Sequence, residues 1–247
     1  MAPPFRNPFL TALPADEFAR ISPDLEVVSF RAGRVIQKRG EPVREIWFLH
    51  HSLCSFMMTS TDGSTAEVAS VGSEGFVGVE AFLGVRTAFC DATMHIVGDG
   101  VASVMSVDAF RRELARCEVF HSHALEYVNI FVGSLEAAVT CNAQHSAEER
   151  CSRWLLEAEM RLGSHEIPVT HDLLAHLLGV RPPTLALVLE EFQRAGIIST
   201  ARGRIQIDDH NALAQHACEC YQLNRLLDQH GIARVAREIP GRSVGAP

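Results

Sequence analysis

The chain has 247 residues, with 22 Lys and Arg against 30 Asp and Glu and a formal net charge of −8 at pH 7. That length allows two modest domains, and an apolar content of 47% excludes a disordered chain. No uninterrupted apolar run reaches the roughly 18 residues of a membrane span, and the N-terminus lacks a secretory signal, so we expect a cytoplasmic protein with no membrane partner. Seven scattered cysteines, an odd number, indicate buried or free thiols rather than a disulfide framework.

The first half of the chain alternates between short β-like runs and glycine turns. A loose tail and a short helix at 15–20 come first. Asp62-Gly63 and Asp99-Gly100 are typical hairpin turns. The close, regular spacing predicts an antiparallel sandwich or barrel. The expected strands are 27–30, 35–37, 45–50, 53–58, 66–71, 92–97 and 101–106.

A long helix is predicted from about residue 120 to residue 144. Apolar residues recur along it at intervals of 3, 4, 3, 4 and 3, ending on an asparagine, and such a heptad pattern predicts a helix–helix seam. We favour a dimer seam over an intrachain core helix because the stripe is narrow, although Phe131 and Ala138 widen it. A hinge at 145–147 and a helix at 148–162 follow. The seam residues are Leu125, Val128, Val132, Leu135, Val139 and Asn142.

The stretch 169–207 predicts a helix, a tight turn, a second helix and a hairpin. Thr170 is placed to cap the first helix, Gly179 to end it, and an apolar stripe begins the second at Leu185. The hairpin, expected from runs at 197–199 and 204–207, carries Arg202 and Arg204 at its tip. This is the layout of a winged helix-turn-helix that binds double-stranded DNA. Two core helices beside a hairpin are the alternative, but they do not require a basic tip.

The overall charge does not favour DNA binding. Residues 146–247 carry 11 Lys and Arg against 13 Asp and Glu, so this half is less acidic than the first but not basic. Phosphate contacts therefore require that its arginines cluster on one face, and binding should depend strongly on salt. A last helix at 213–230 and a poorly ordered tail from about Pro240 complete the chain.

This order of elements resembles the Crp/Fnr superfamily of bacterial transcription regulators over residues 10–215. The resemblance is carried by Phe30-Arg-Ala-Gly-Arg-Val-Ile, Arg39-Gly-Glu-Pro, Gly72-Ser-Glu-Gly-Phe-Val-Gly and the helix-turn-helix. It implies an α+β fold with an antiparallel β-roll of the double-stranded β-helix (jelly-roll) type at 1–118. A dimerisation helix and hinge at 119–146, a winged helix-turn-helix at 147–212 and a C-terminal helix and tail at 213–247 would follow.

The ligand loop of the roll departs from the nucleotide-binding pattern of the family. Gly78 is followed by Val79, with Glu80 one place late, and Asp91 stands near where a phosphate-binding arginine belongs. Since an aspartate repels an anion, we expect the roll to be kept and ordinary cyclic-nucleotide binding to be lost. The effector is unknown and no cofactor is expected. The expected effector pocket comprises Gly75, Gly78, Val79, Glu80 and Arg86.

The recognition helix departs from the family pattern too. The base-reading Arg and Glu residues of the family are replaced here by prolines at 182 and 183 and a leucine at 187. Because Pro182 precedes another proline, its backbone is biased away from the helical region, which predicts a late start of the helix. The contacts still available to this helix are apolar contacts with thymine methyl groups and one arginine on a guanine, with Val188 as a further candidate for base contact. These contacts predict a more A·T-tolerant operator. The expected DNA contacts are Thr170, His171, Arg181, Thr184, Leu185, Leu187, Arg202 and Arg204.

Other kinds of site receive less support. The chain lacks the N-terminal cysteine cluster of iron–sulfur members of the family. Cys141 and His145 share a helix face, whereas Cys218 and Cys220 should face different ways on a helix, so no four-ligand metal site and no activated thiol are expected.

No catalytic motif is present, so an enzyme is not expected. The expected function is a homodimeric transcription regulator, with RNA polymerase as a further partner. The alternative is an effector-sensing or protein-interaction module that has lost base readout.

Overall fold

A computed structural model describes residues 7–94 and 100–230, with side chains as far as residue 225. Two short helices, α1 (Pro8–Thr11) and α2 (Ala15–Ile21), precede the first strand. The expected loose tail is wrong for this segment. The Asn7 amide is buried and donates hydrogen bonds to the carbonyls of Leu49 at 3.1 Å and Gly75 at 2.9 Å. Phe9 lies in the core of the first lobe, so the segment is an integral part of the fold.

Within residues 7–94 and 100–118, seven strands form the predicted antiparallel β-roll, which confirms the fold class. Two sheets have the orders β1-β7-β3 and β2-β6-β4-β5, and the Asp62-Gly63 turn joins β4 to β5. Each strand overlaps its predicted run, and the 95–99 portion lies outside the described residues. The strands are β1 (Glu26–Phe30), β2 (Val35–Gln37), β3 (Glu45–His50), β4 (Cys54–Thr59), β5 (Thr65–Val71), β6 (Asp91–Met94) and β7 (Gly100–Ser106).

Two short helices complete the roll, and an aromatic cluster fills it. Helix α3 (Val79–Phe82) lies in the ligand loop, and α4 (Val107–Leu114), which was not predicted, follows β7 and is capped by Ser106. Neighbouring rings of the cluster have centroids between 5.2 and 5.9 Å apart, in stacked, tilted and edge-on contacts. The five rings are Phe9, Phe48, Phe76, Phe110 and Phe120.

The long helix α5 (Glu118–Gln144) lies along the roll. The Glu17 carboxylate of α2 accepts hydrogen bonds from the backbone N–H groups of Val119 and Phe120, which satisfies two of the free donors at the start of α5. By length and composition α5 also meets the minimum for a membrane span, as the core helix of a soluble protein does. One face packs into the roll through Phe120 and Tyr127. We therefore interpret α5 as a helix that packs on the roll by one face and leaves the opposite face exposed.

The predicted hinge is present as a break between two helices. His145 ends α5, and Ser146 begins α6 (Ala147–Leu162) with a capping box shared with Glu149. The second lobe then adds β8 (Glu166–Ile167), which was not predicted, α7 (His171–Leu178) and α8 (Pro182–Arg194). The wing follows as β9 (Ile198–Ala201) and β10 (Arg204–Ile207), in a sheet of order β8-β10-β9.

The single C-terminal helix predicted at 213–230 is wrong, because two helices occupy this region. Helix α9 (His210–Gln215) is capped by the Asp209 carboxylate, which accepts a hydrogen bond from the Ala212 N–H. It ends at Gln215, with His216 as its C-cap. Helix α10 (Glu219–His230) begins directly after Cys218. The break lets the chain turn back so that α10 packs against α5.

The second lobe is docked closely on the first. Arg161 of α6 donates hydrogen bonds to Glu74 at 3.2 Å and to the Ser70 hydroxyl at 2.8 Å. Leu53 of the roll belongs to the second hydrophobic core. A Cβ on Gly179 would lie 3.3 Å from Cβ of Ala66, so β5 and the end of α7 are in near contact. Polar and apolar contacts therefore both hold the lobes together.

Candidate nucleic-acid interface and effector cavity

Helices α7 and α8 have the geometry of a helix-turn-helix. Their axes differ in direction by 111°, within the range of about 90–120° typical of this motif. The Thr170 hydroxyl accepts a hydrogen bond from the Leu173 N–H at 3.2 Å, as the predicted cap requires. Gly179 ends α7 at φ 61°, a left-handed conformation that favours glycine. Sequence and structure therefore agree on the frame of this unit.

The second helix starts at Pro182, not later as expected. Arg181 occupies the N-cap position, and the two prolines fill the first two helical positions. The fixed φ of proline suits the first turn, and its missing N–H costs nothing there because those donors have no intrahelical partner. The helix therefore presents a complete first turn.

The outward face of α8 holds some, but not all, of the predicted base-reading residues. Arg181 and Leu187 are exposed, the latter to 64%, and Thr184 is partly exposed. Leu185 is buried in the second core, as is Val188, so neither is available to DNA and both assignments are wrong. Ala186 and Glu190, which sequence reasoning passed over, are exposed on the same helix. Helical periodicity alone would have separated these positions from the buried stripe.

The wing carries the two predicted arginines. Gly203 turns the hairpin at φ 77°, with Arg202 and Arg204 exposed on either side of it. Arg204 Nε lies 3.5 Å from a carboxylate oxygen of Glu166, and both side chains are about half exposed. Such a pair contributes little and is easily exchanged for a phosphate. Thr170 and His171, the other predicted phosphate contacts, are also exposed.

The ligand loop borders an apolar cavity of about 270 Å³ between the roll and α5. Val79 and Glu80 line it, as the sequence predicted. Most of the wall is apolar, and Phe89 and Leu83 remain exposed to 65% and 59%. Among the residues that the structure describes, no arginine or lysine lines it. The other lining residues are Phe56, Met58, Val68, Cys90, Phe131, Val132 and Leu135.

Three predicted pocket residues do not line this cavity. Gly75 packs against the ring of Tyr127, where an added Cβ would lie 1.8 Å from a ring carbon. Gly78 has φ +112°, and its Cβ would meet Ile46 at 2.6 Å. Arg86 is exposed, and its backbone carbonyl accepts a hydrogen bond from the Val43 N–H. The glycines are thus required by close packing, and the arginine lies outside the cavity wall.

Glu80 gives the cavity one carboxyl group. Its Oε1 accepts a hydrogen bond from Gln37 Nε2 at 2.8 Å. Its buried Oε2 has no hydrogen-bond partner within residues 7–94 and 100–225. Burial, together with the negative charges of Glu80 and Asp91, raises the pKa of the neighbouring Cys90 thiol to about 12. This environment repels anions and leaves one acceptor free for a hydrogen-bond donor.

The predicted seam of α5 divides into exposed and buried positions. Leu125, Val132 and Val139 are exposed to 49%, 45% and 70%. Val128 belongs to the core of the roll, and Leu135 is partly buried against it, so the assignment of Val128 to a dimer seam is wrong. Two of the six seam positions therefore face the roll. Asn142 is exposed and accepts a hydrogen bond from Arg150 at 3.0 Å.

The expectation that Cys218 and Cys220 face different ways is wrong. The ligand atoms of Cys141, His145, Cys218 and Cys220 all lie within 4.8 Å of one another. Cys218 precedes α10 instead of lying on it, so the argument that residues two apart on a helix face different ways does not apply. The pKa of the Cys141 thiol is lowered to about 5 by a hydrogen bond from Cys218 and by Arg153 and His145. The same contact raises the pKa of the Cys218 thiol.

Family models match both lobes of the chain. The cyclic nucleotide-binding domain matches residues 27–117, and the Crp-like helix-turn-helix domain matches residues 149–216. No curated protein matches the chain.

Solved structures of similar fold cover most of the chain at low sequence identity. FixK2 from Bradyrhizobium japonicum is 15% identical with a TM-score of 0.68, covering 78% of this chain and 98% of its own. A CRP-family transcriptional regulator from Thermus thermophilus is 20% identical with a TM-score of 0.66, covering 77% and 96%. The c-di-GMP-responsive global regulator CLP of Xanthomonas campestris is 14% identical with a TM-score of 0.62, covering 78% and 99%.

Proposed function

Since the chain belongs to the Crp/Fnr superfamily of transcription regulators, we propose that it is a homodimeric, sequence-specific DNA-binding regulator controlled by an effector in its β-roll. The observation that carries the proposal is the 111° helix pair with an exposed first turn of α8 and an arginine-tipped wing. We assign the sensor to 1–118, the dimer helix and hinge to 119–146 and the DNA-binding unit to 147–212. The protein would act in the cytoplasm, with RNA polymerase as its further partner.

Arg181, Thr184 and Leu187 are the residues that we assign to base reading. They occupy the start of α8, the part of a recognition helix that meets base edges. Arg181 suits a guanine, and Leu187 suits a thymine methyl group. Arg202, Arg204, Thr170 and His171 would hold phosphates, which position the protein without specifying sequence.

The effector that the cavity suits is an apolar small molecule with a hydrogen-bond donor, rather than a cyclic nucleotide. A volume of about 270 Å³ exceeds the ~150 Å³ cavity that accommodates benzene. After rotation of the Glu80 side chain, its buried and unpartnered Oε2 would accept a hydrogen bond from the donor, and the apolar wall would contact the body of the ligand. A cyclic phosphodiester would meet an acidic residue and, among the described residues, no cation on this wall. An apolar amine satisfies both requirements.

Helix α5 offers a direct connection between effector and dimer. Val132 and Leu135 line the cavity and also belong to the apolar seam of α5. A bound molecule would therefore touch the same helix that meets the partner subunit. The exposed Leu125, Val132 and Val139 are the residues that we assign to the centre of that contact.

The decisive test of DNA binding is site selection from a random duplex library, followed by fluorescence-anisotropy titration of the selected site and a scrambled duplex across a salt series. The double variant Arg202→Ala/Arg204→Ala should weaken binding to both duplexes and reduce the salt slope by about 2, one for each lost phosphate contact. Arg20→Ala, an exposed arginine on α2, is the matched control and should leave the slope unchanged.

Enrichment of one site by the unmodified chain, with or without added effector, supports the regulator. Failure to enrich any site, with equal binding to every duplex, would overturn it in favour of a module that has lost base readout. The prolines at 182 and 183 and the exposed Glu190 are the features that favour that alternative. The superfamily members found are transcription regulators, and an enzyme activity forms no part of the proposal.

The effector proposal is tested by thermal unfolding with phenethylamine, cyclic AMP or cyclic di-GMP added separately. Only phenethylamine should raise the Tm. Glu80→Gln keeps the hydrogen bond to Gln37 but removes the charge, so the amine should bind at least about tenfold more weakly. Glu41→Gln, on the exposed surface, is the control. A Tm rise with either nucleotide, or equal amine binding by Glu80→Gln, would contradict the assignment.

A further inference from the structure

Four side chains with metal-binding atoms meet where the end of α5 contacts the start of α10. Cys141 and His145 come from the last turn of α5 and its C-cap, Cys218 from the residue before α10, and Cys220 from the first turn of α10. Cys141 Sγ and Cys218 Sγ are 3.6 Å apart, and Cys220 Sγ and His145 Nδ1 are 3.7 Å apart. The superfamily assignment gives these residues no role.

These separations fit one tetrahedral ion. With Zn–S bonds of about 2.3 Å and a Zn–N bond of about 2.0–2.1 Å, tetrahedral ligand atoms lie roughly 3.5–3.8 Å apart. The two distances above match that spacing, and the 4.8 Å limit on all pairs leaves only small movements to complete it. Three sulfurs and one imidazole nitrogen are a ligand set that selects zinc.

The surroundings of the four residues also suit a closed site. The three cysteines are buried and form a small cluster separate from both hydrophobic cores. With His145 Nδ1 facing the thiols, its Nε2 lies 3.3 Å from the Glu219 carboxylate, the partner that commonly orients a zinc-bound imidazole. Arg153 Nε donates to Cys141 Sγ at 3.2 Å, which compensates negative charge from three thiolates.

We propose that Cys141, His145, Cys218 and Cys220 bind one structural zinc ion that fastens α10 to the end of α5. The four protein ligands leave no open position for water, so the ion stabilises the fold and performs no chemistry. His145 is also the C-cap of α5 and the first residue of the hinge at 145–147. Loading with metal would therefore fix the position at which the DNA-binding lobe leaves the dimer helix.

The test is the metal content of the full chain, purified under reducing conditions without chelator and measured by inductively coupled plasma mass spectrometry. We expect one zinc per chain. Replacement by Co²⁺ should give the visible absorption of a tetrahedral thiolate site. Cys218→Ser and Cys220→Ser should each weaken metal binding at least about tenfold, and Glu219→Gln should weaken it about 10-fold through the imidazole.

Cys151→Ser is the matched control, because Cys151 is equally buried but lies in the core of the second lobe. It should keep the full zinc content. A reduced, folded chain that takes up neither zinc nor cobalt would overturn the proposal, as would a Cys141–Cys218 disulfide found by mass spectrometry in every preparation. Both readouts use the unmodified chain, so they hold even if a serine variant fails to fold.

Discussion

The indole Nε1 of Trp154 in α6 donates a hydrogen bond to Oε1 of Glu67 in β5, at 3.1 Å. The other oxygen of this carboxylate accepts a hydrogen bond from the Ser55 hydroxyl. Burial raises the pKa of Glu67 from its usual range to about 7, and the Ser55 contact and the charges of Arg153 and Arg161 only partly oppose it. The contact between the two lobes therefore holds a carboxyl that titrates near neutral pH.

The first prediction concerns the pH dependence of stability. The pKa of Glu67 is higher in the folded chain than in the unfolded chain, so between about pH 4.5 and about pH 7 the folded state binds more protons. The folded state should therefore lose stability as pH rises through this window and lose no more above it. Over the whole window the loss should be about 1–3 kcal/mol. Urea unfolding at several pH values measures it.

Glu67→Gln should remove this component, because the amide cannot ionise, and its urea midpoint should change less with pH. Glu126→Gln, at an exposed position of α5, is the control and should keep the dependence of the unmodified chain. An unchanged pH profile in Glu67→Gln would exclude Glu67 as its source.

The second prediction uses two neighbouring leucines of α8. Leu185→Ala should lower the free energy of unfolding by about 2–5 kcal/mol, because the side chain is buried in the second core. Leu187→Ala should change stability by no more than about 0.5 kcal/mol, because that side chain is 64% exposed. In site selection, however, Leu187→Ala should relax the preference at one base pair. Equal destabilisation by the two substitutions would contradict these assignments.

The third prediction concerns the cap of α7. Thr170→Ala removes the acceptor for the Leu173 N–H and should cost about 0.5–2 kcal/mol of stability. Thr170→Ser keeps that acceptor and should restore most of the loss in thermal unfolding. If the hydroxyl also holds a phosphate, the alanine variant should bind every duplex more weakly and Thr170→Ser should not. Full stability in Thr170→Ala would show that the cap contributes nothing.

Much of the architecture could be predicted because it depends on local patterns. The β-roll strands can be located because turn residues such as Asp62-Gly63 separate them. The capping box of Ser146 and Glu149 also marks the α5–α6 break in the sequence, although the hinge at 145–147 was expected without it. Leu185 was misassigned although its place in the buried stripe could be read from the sequence. The resemblance of the first turn to a recognition helix outweighed that periodicity.

The cysteine cluster could not be predicted in the same way. Cys141 and Cys218 are separated by 77 positions, and their contact depends on a helix break after α9 that no glycine or proline marks. Similarly, Gly75 could be placed in the ligand loop by its motif, but its contact with Tyr127 depends on how α5 packs on the roll. Both features arise from tertiary packing, which local patterns in a single sequence do not reveal.

The last prediction concerns dimerisation through α5. Val139 is 70% exposed and aligns with Leu125 and Val132 at seven-residue intervals, so all three would meet a partner helix in a parallel seam. Val139→Glu would place a charge in this apolar contact and should raise the dimer dissociation constant at least about tenfold, equivalent to about 1.4 kcal/mol. Sedimentation equilibrium of the full chain measures it.

Thr140→Glu is the control for charge and helix position, because residue 140 is exposed about 100° further around α5. It should dimerise as the unmodified chain does. If both variants remain dimeric at low concentration, the subunits must associate elsewhere, and the exposed valines would need another partner. If only Val139→Glu dissociates and DNA affinity falls with it, dimer formation and operator binding depend on the same helix.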